Sequence, residues 1–278
     1  MFSGRTLLIA TKHEKESVIA PLLKEYLNVT CVVNTDFDTD TLGTFSGEIE
    51  RKLDVVETLR QKCLQAVSLT NFDLVVASEG SFGPHPTLFF ATADDELIMF
   101  KDLKNNIEIL ERHLSTDTNF DGVEVKNIKS LIDFAIKIGF PSHGIILKSS
   151  KNNPEVVVKD LENLEELEQA FKNLNASYPH IFAETDMRAH KNPTRMEVIK
   201  QATRKLVEKI NTLCPKCKFP GFEVIQVNTG LPCGLCGSET KSTLSYVFGC
   251  KSCNYSEQKL YPFDKKTEDP MYCDFCNP

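Results

Sequence analysis

Eight of the ten cysteines fall in four C-x-x-C pairs, all within the last 65 residues: Cys214/Cys217, Cys233/Cys236, Cys250/Cys253 and Cys273/Cys276. A C-x-x-C turn directs two sulfurs at one point, and two such turns complete a tetrahedral thiolate shell. Eight ligands therefore predict two four-cysteine sites with zinc as a structural cofactor. Pro215, Gly234, Gly237, Asn254 and Asn277 lie within or just after these turns. They suit a tight knuckle whose backbone N–H groups face the sulfurs. A disulfide framework is the rival reading. The N-terminus carries no basic-then-apolar targeting segment, and reducing cytosol disfavours such bonds. Iron–sulfur binding and thiol redox chemistry rank lower still.

The spacing also suggests a pairing. Thirteen residues separate Cys236 from Cys250, with strand-like Ser245–Phe248 between them. That predicts one ribbon closed by Cys233/Cys236 and Cys250/Cys253, and leaves Cys214/Cys217 to close with Cys273/Cys276. The two sites would then be nested; sequential pairing is the alternative.

The net charge of −7 argues against a general nucleic-acid coat. Between Leu213 and Pro278 seven lysines face seven acidic residues with no arginine, and two zinc tetrathiolates would each add −2. Such a module is a poor phosphate binder, so a structural or protein-contact role is expected of it. Apolar runs such as Leu7–Ala10 are too short to span a bilayer. The chain reads as soluble and cytoplasmic, with no membrane partner.

Residues 1–212 read as an α/β domain and 213–278 as a two-zinc, ribbon-like module. Strands are predicted at Arg5–Ala10, Val29–Val33, Leu74–Ala77, Thr87–Ala91, Leu97–Lys101, Ile107–Leu114, Gly144–Lys148, Glu155–Val158 and Ile181–Thr185. A turn is placed at Asp94–Asp95. Helices are predicted up to Leu27 and over Glu48–Leu69, Ile128–Ile138 and Leu164–Leu174. The last helix runs from about Pro193 to Asn211, with Thr194 and Glu197 forming a capping box. This order predicts one mixed sheet flanked by helices.

Four polar loops follow predicted strands, where open α/β sheets place ligands. They are Thr11–Lys15 (TKHEK), residues 34–51 (ending FSGEIER), Ser78–Pro86 (SEGSFGPHP) and Glu184–Arg195 (ETDMRAHKNPTR). Glu184, Asp186, Arg188 and His190 alternate and would share one face if the strand continued. Carboxylates hold a hard cation such as magnesium, and guanidinium groups fork onto phosphate. Arg195 lies at a helix N-terminus, which favours anions. Glu79 directly follows a buried strand and reads as a metal ligand or general base, or as a cap for local N–H groups. Lys12 and His13 offer anion contacts. Glu48 and Arg51 open a helix, and Glu57 lies one turn further on, on its solvent face. Cys31 and Cys63 read as core thiols.

FSGEIER, ASEGSFGPHP, GFPSHG, ETDMRAHKNPTRM and DPMYCDFCNP together resemble an uncharacterised bacterial family carried as a domain of unknown function. That resemblance implies no activity. Ala10–Glu16 (ATKHEKE) resembles the opening strand and loop of the inosine/xanthosine triphosphate pyrophosphatases, with His13 standing at that family's asparagine. This second resemblance implies metal ligation by Glu57 and Glu79, and phosphate contacts from Lys12, His13 and Lys15. The family's purine-recognition motif is not visible.

The leading expectation is a divalent-metal-dependent hydrolase of a phosphorylated small molecule, a nucleotide, with a structural zinc module. The alternatives are a nucleic-acid-binding or RNA-processing protein, and a non-catalytic zinc-ribbon adaptor. Seven basic against three acidic residues between Asp186 and Lys209 give the nucleic-acid alternative its cationic face.

Overall fold

The computed structural model describes residues 1–34 and 54–278. The chain divides into two compact units, Met1–Leu206 and Val207–Pro278. The division falls inside the last helix, a few residues before the expected boundary.

The first unit holds the expected mixed sheet and a second, antiparallel one. The first has the order β2-β1-β3-β4-β5, built from β1 (Thr6–Ala10), β2 (Thr30–Val33), β3 (Leu74–Pro84), β4 (Thr92–Asp102) and β5 (Ile107–Ser115). β1 runs parallel to β2 and β3, while β3, β4 and β5 form an antiparallel meander. This sheet is therefore mixed. Helix α1 (Glu16–Leu27) encloses Pro21 and ends at Asn28, in the left-handed conformation with φ 52°. Helix α2 (Val55–Ser68) starts at Asp54, whose carboxylate accepts from the N–H groups of Val56 and Glu57. The expected first turn of that helix, including Glu48 and Arg51, lies outside the described residues.

α2 covers one face of this sheet, packing Leu59, Cys63 and Ala66 against Leu8, Ala10, Val75, Ala77, Leu97 and Met99. The opposite face buries Leu7, Ile9, Val76, Ile98 and Phe100, with Phe2 edge-on to Phe100 at 5.1 Å. The β-meander departs from its sequence reading. Thr87–Ala91 is a loop and not a strand. Asp94 and Asp95 lie inside β4 and not in a turn. Charge alone suggested a break there, but the alternation of the strand continues through both residues.

The second sheet is antiparallel, in the order β6-β9-β7-β8. It comprises β6 (Gly122–Val125), which the sequence reading missed, β7 (Ile145–Lys148), β8 (Val157–Val158) and β9 (Ile181–Thr185). Helices α3 (Ile128–Ile138) and α4 (Leu164–Asn175) bury Leu131, Phe134, Leu167 and Phe171 against Ile145, Leu147, Ile181 and Ala183. Asn127 caps α3 by accepting from the Ser130 N–H, and Gly139 ends it at φ 89°, a conformation that favours glycine. Helix α5 (Pro193–Asn211) is capped by Asn192, which accepts from the Arg195 N–H at 3.0 Å. The predicted Thr194 cap is replaced. Thr194 instead meets His143 Nε2 at 2.9 Å.

The second unit is an antiparallel sheet of β10 (Glu223–Thr229), β11 (Thr243–Gly249) and β12 (Ser256–Leu260), with two cysteine clusters. No helix among the described residues is long and apolar enough to cross a membrane.

Candidate metal centres and a buried ionic cluster

The cysteine turns repeat one local design. The N–H of the fourth residue after the leading cysteine donates to that cysteine's carbonyl: Lys218 to Cys214, Gly237 to Cys233, Asn254 to Cys250 and Asn277 to Cys273, at 2.8 to 3.1 Å. Lys218, Gly237 and Asn254 take positive φ to close the turn, which is why glycine and asparagine recur there. The Leu235 N–H points at Cys233 Sγ at 3.4 Å.

Two clusters result. Cys214, Cys217, Cys250 and Cys253 form one, and Cys233, Cys236, Cys273 and Cys276 form the other. This corrects the nested pairing, and sequential pairing does not hold either. The sites interleave, first turn with third and second with fourth. The sheet explains this. β10 and β11 pair antiparallel, so Cys250, just after β11, returns beside Cys214, ahead of β10. Glu268 then bridges to Cys233 and guides the chain end to the second site.

The geometry fits zinc. A tetrahedral thiolate site with Zn–S near about 2.3 Å has sulfur–sulfur edges of roughly 3.8 Å. The sulfur pairs Cys214–Cys253, Cys217–Cys250, Cys233–Cys276 and Cys236–Cys273 lie 3.6 to 3.8 Å apart. Those distances are far beyond a disulfide bond of about 2.05 Å. Burial opposes ionisation of Cys214, but the N–H groups of Cys217 and Lys216 outweigh it and draw the thiol down to about 7. Two four-thiolate sites can thus hold two metal ions. Phe222 packs beside the first, stacked on Phe248 at 5.8 Å and Tyr255 at 6.0 Å.

The polar loops of the first unit also converge. β1 and β3 run parallel with Ala10 beside Ala77, so the loop after β1 starts next to Ser78, partway along β3. Lys15, from TKHEK, is buried and donates to Ser78 Oγ at 3.1 Å. Ser78 and Gly80 share a face of β3 with Glu96 of β4, which pairs opposite Gly80. Arg195, from the last loop, is 1% exposed and enters this face. Its Nε donates to Glu96 Oε1 at 2.7 Å, its Nη1 donates to the Met187 carbonyl, and its guanidinium lies 5.0 Å from the Phe82 ring centre. His13 stacks on His190 at 5.0 Å, tying the first loop to the last. Three of the four predicted polar segments therefore meet, although Ser78–Pro84 is part of β3 and not a loop, and Arg195 lies in α5; residues 35–51 of the fourth lie outside the described residues.

Gly80 makes the arrangement possible. A Cβ there would lie 2.6 Å from Arg195 Nη2 and closer still to Glu96 Oε1. The TKHEK loop is tightly wound, with His13 at φ 66° and Glu14 at φ 59°. Burial, and then the nearby Arg195 charge, lower the Lys15 amine to about 8. Burial, and then Glu96, raise the Asp94 carboxyl to about 8. Burial, and then Arg188, lower His190.

The remaining candidates occupy other places. Glu79 points to the opposite face of β3 from Ser78 and is ion-paired with Lys62 of α2. Glu184 pairs with Lys148 across β9 and β7 at 2.6 Å. β9 ends at Thr185, so the expected alternation through His190 stops there; residues 189–191 form a short 3-10 turn. Asp186 is 1% exposed and binds Arg188, whose guanidinium also bridges to Asp160. Glu57 meets Arg60 and Gln61 on the surface of α2. Lys12 is exposed on the loop after β1. Among the described residues, the only groups of three or more metal-type ligands that converge are the two cysteine clusters. Asp94 and Glu96 were missed as site residues. The only signal was an alternation of acids running into a strand.

These features define a class: a mixed α/β body joined to a module with two interleaved four-cysteine centres. Residues 62–278 match the family described as Domain of unknown function (DUF6671), and the chain belongs to that family. Comparison with curated proteins found no match.

Proposed function

We propose that the α/β body is a divalent-metal-dependent hydrolase of a phosphorylated small molecule, a nucleotide, and that two zinc ions hold the cysteine module as structural ions. The observation that carries the reading is the meeting of Lys15, Ser78 and Arg195, from three separate segments of the chain, on one sheet face. Two buried cations beside a hydroxyl suit a phosphoryl group. In a site shielded from water they stabilise developing charge far better than surface cations would. Carboxylates on the same face can serve an ion or a water nucleophile. The stacked pair His13–His190 links the segments that carry Lys15 and Arg195.

The test is a panel of nucleoside mono-, di- and triphosphates and sugar phosphates with Mg²⁺, monitored for phosphate and pyrophosphate release. Turnover by the zinc-loaded chain is expected. Lys15→Met should reduce it by about 100-fold or more while keeping the melting temperature within a few degrees. No turnover across the panel by folded protein would remove the reading.

A second reading, protein contact through the cysteine module, draws on one observation. Leu235 and Phe275 sit at the tips of the two turns of the second centre and are 74% and 76% exposed. Met271 and Tyr272 beside them are also exposed. A stoichiometric partner lost on Leu235→Ser with Phe275→Ser would favour this role, and retention of that partner would oppose it.

A further inference from the structure

Among the described residues, three buried carboxyl oxygens have no hydrogen-bond partner: both of Asp94, and Oε2 of Glu96. Asp94 is 0% and Glu96 1% exposed. They stand two residues apart on β4, so they project to one face, opposite Phe82 and Gly80 in register. That is the face that receives Ser78 and Arg195. Other buried carboxylates of this unit are answered: Glu79 by Lys62, Asp102 by Arg5, and Asp186 by Arg188. Lys15 donates to a neutral hydroxyl, that of Ser78. A buried carboxyl oxygen that lacks donors either keeps a proton or takes a cation.

We propose that Asp94 and Glu96 form the seat of one divalent cation, whose remaining positions are filled by water and by oxygens of a phosphorylated ligand held by Lys15 and Arg195. This rests on the phosphate-binding reading of the same site and supplies its metal ligands. Magnesium commonly takes one or two carboxylates and completes its octahedron with water and substrate phosphate. Charge balance points the same way. Two carboxylates and two basic side chains sum to zero, and a divalent cation with a doubly charged phosphate leaves that sum unchanged. Either ligand alone would bury uncompensated charge, so the cation and the phosphate bind together.

The experiment uses the full zinc-loaded chain and follows Mn²⁺ by electron paramagnetic resonance, with and without inorganic pyrophosphate. One Mn²⁺ per chain is expected, bound at least 10-fold more tightly when pyrophosphate is present. Asp94→Asn should weaken that binding by 10-fold or more, while Glu124→Gln on the far sheet leaves it unchanged. Asp94→Asn also replaces a buried carboxyl whose oxygens lack partners, so its metal-free melting temperature should equal or exceed that of the parent. This separates a lost ligand from a lost fold. Absence of Mn²⁺ binding up to millimolar concentration, or equal binding by Asp94→Asn, overturns the proposal. Mn²⁺ binding without turnover of any phosphate ester would leave the seat standing and remove the hydrolase reading. Turnover indifferent to Asp94→Asn would do the reverse.

Discussion

Arg195 Nε and Glu96 Oε1, ninety-nine residues apart in sequence, meet at 2.7 Å with side chains 0% and 1% exposed. The pair pins the start of α5 to the centre of β4. Removing one partner strands a charge in the interior, which typically costs about 3–5 kcal/mol. Arg195→Met should therefore destabilise the body by that order. Adding Glu96→Leu to Arg195→Met should recover much of the loss. Urea unfolding of the two single variants and the double variant measures the coupling.

Gly80 sits under that pair. Gly80→Ala would drive a methyl group against Glu96 and Arg195, both held from several sides. Overpacking of this kind costs about 1–3 kcal/mol. We expect a lower urea midpoint with an unchanged denaturant slope. A variant as stable as the parent would mean that the ion pair does not rest on this backbone.

Interleaved metal sites make an unusual prediction about double variants. Cys214→Ala with Cys250→Ala damages one centre and should leave one metal per chain by native mass spectrometry. Nested or sequential pairing would lose both metals from the same two substitutions. Cys214→Ala with Cys273→Ala should lose both. Chelation of all metal should unfold the module, since thiolate sites of this kind supply much of the folding energy.

Acid should act partly through Asp102. Its buried carboxylate accepts from both Arg5 Nη1 at 2.5 Å and Arg5 Nη2 at 2.8 Å, and from Asn105. Burial pushes this carboxyl up, but Arg5 and Asn105 outweigh it and hold it below the ordinary carboxylate range. In the unfolded chain the group takes a proton near its usual value of about 3.9. The stabilisation is thus complete above that pH and is lost as pH falls through the lower folded value. Asp102→Asn should be less stable at neutral pH and show a shallower loss below about pH 4, read from melting temperature against pH.

Much of this was legible in the sequence. The C-x-x-C spacing announced two four-thiolate sites, because the turn leaves little choice of where its sulfurs point. Asn127 and Gly139 bounded α3 by local chemistry alone. Three polar loops were legible as candidates because each follows a strand. What was hidden is what depends on distant partners. Asp94 and Asp95 looked like a turn because nothing nearby explains an acid in a strand. Lys15 and Arg195, far away in the chain, lie near Asp94 only after folding and offset its burial in part. Glu184 and Asp186 looked available because Lys148 and Arg188 pair with them only after folding. The metal pairing depended on how β10 returns beside β11, which no spacing encodes.

The order of the four turns along the chain has a consequence during synthesis. Neither centre can close on its own stretch of sequence: the first waits for Cys253, and the second for Cys276. A nascent polypeptide halted between them carries one finished shell and one pair of orphan thiols. Metal loading therefore reports on whether the ribosome has delivered the last turn.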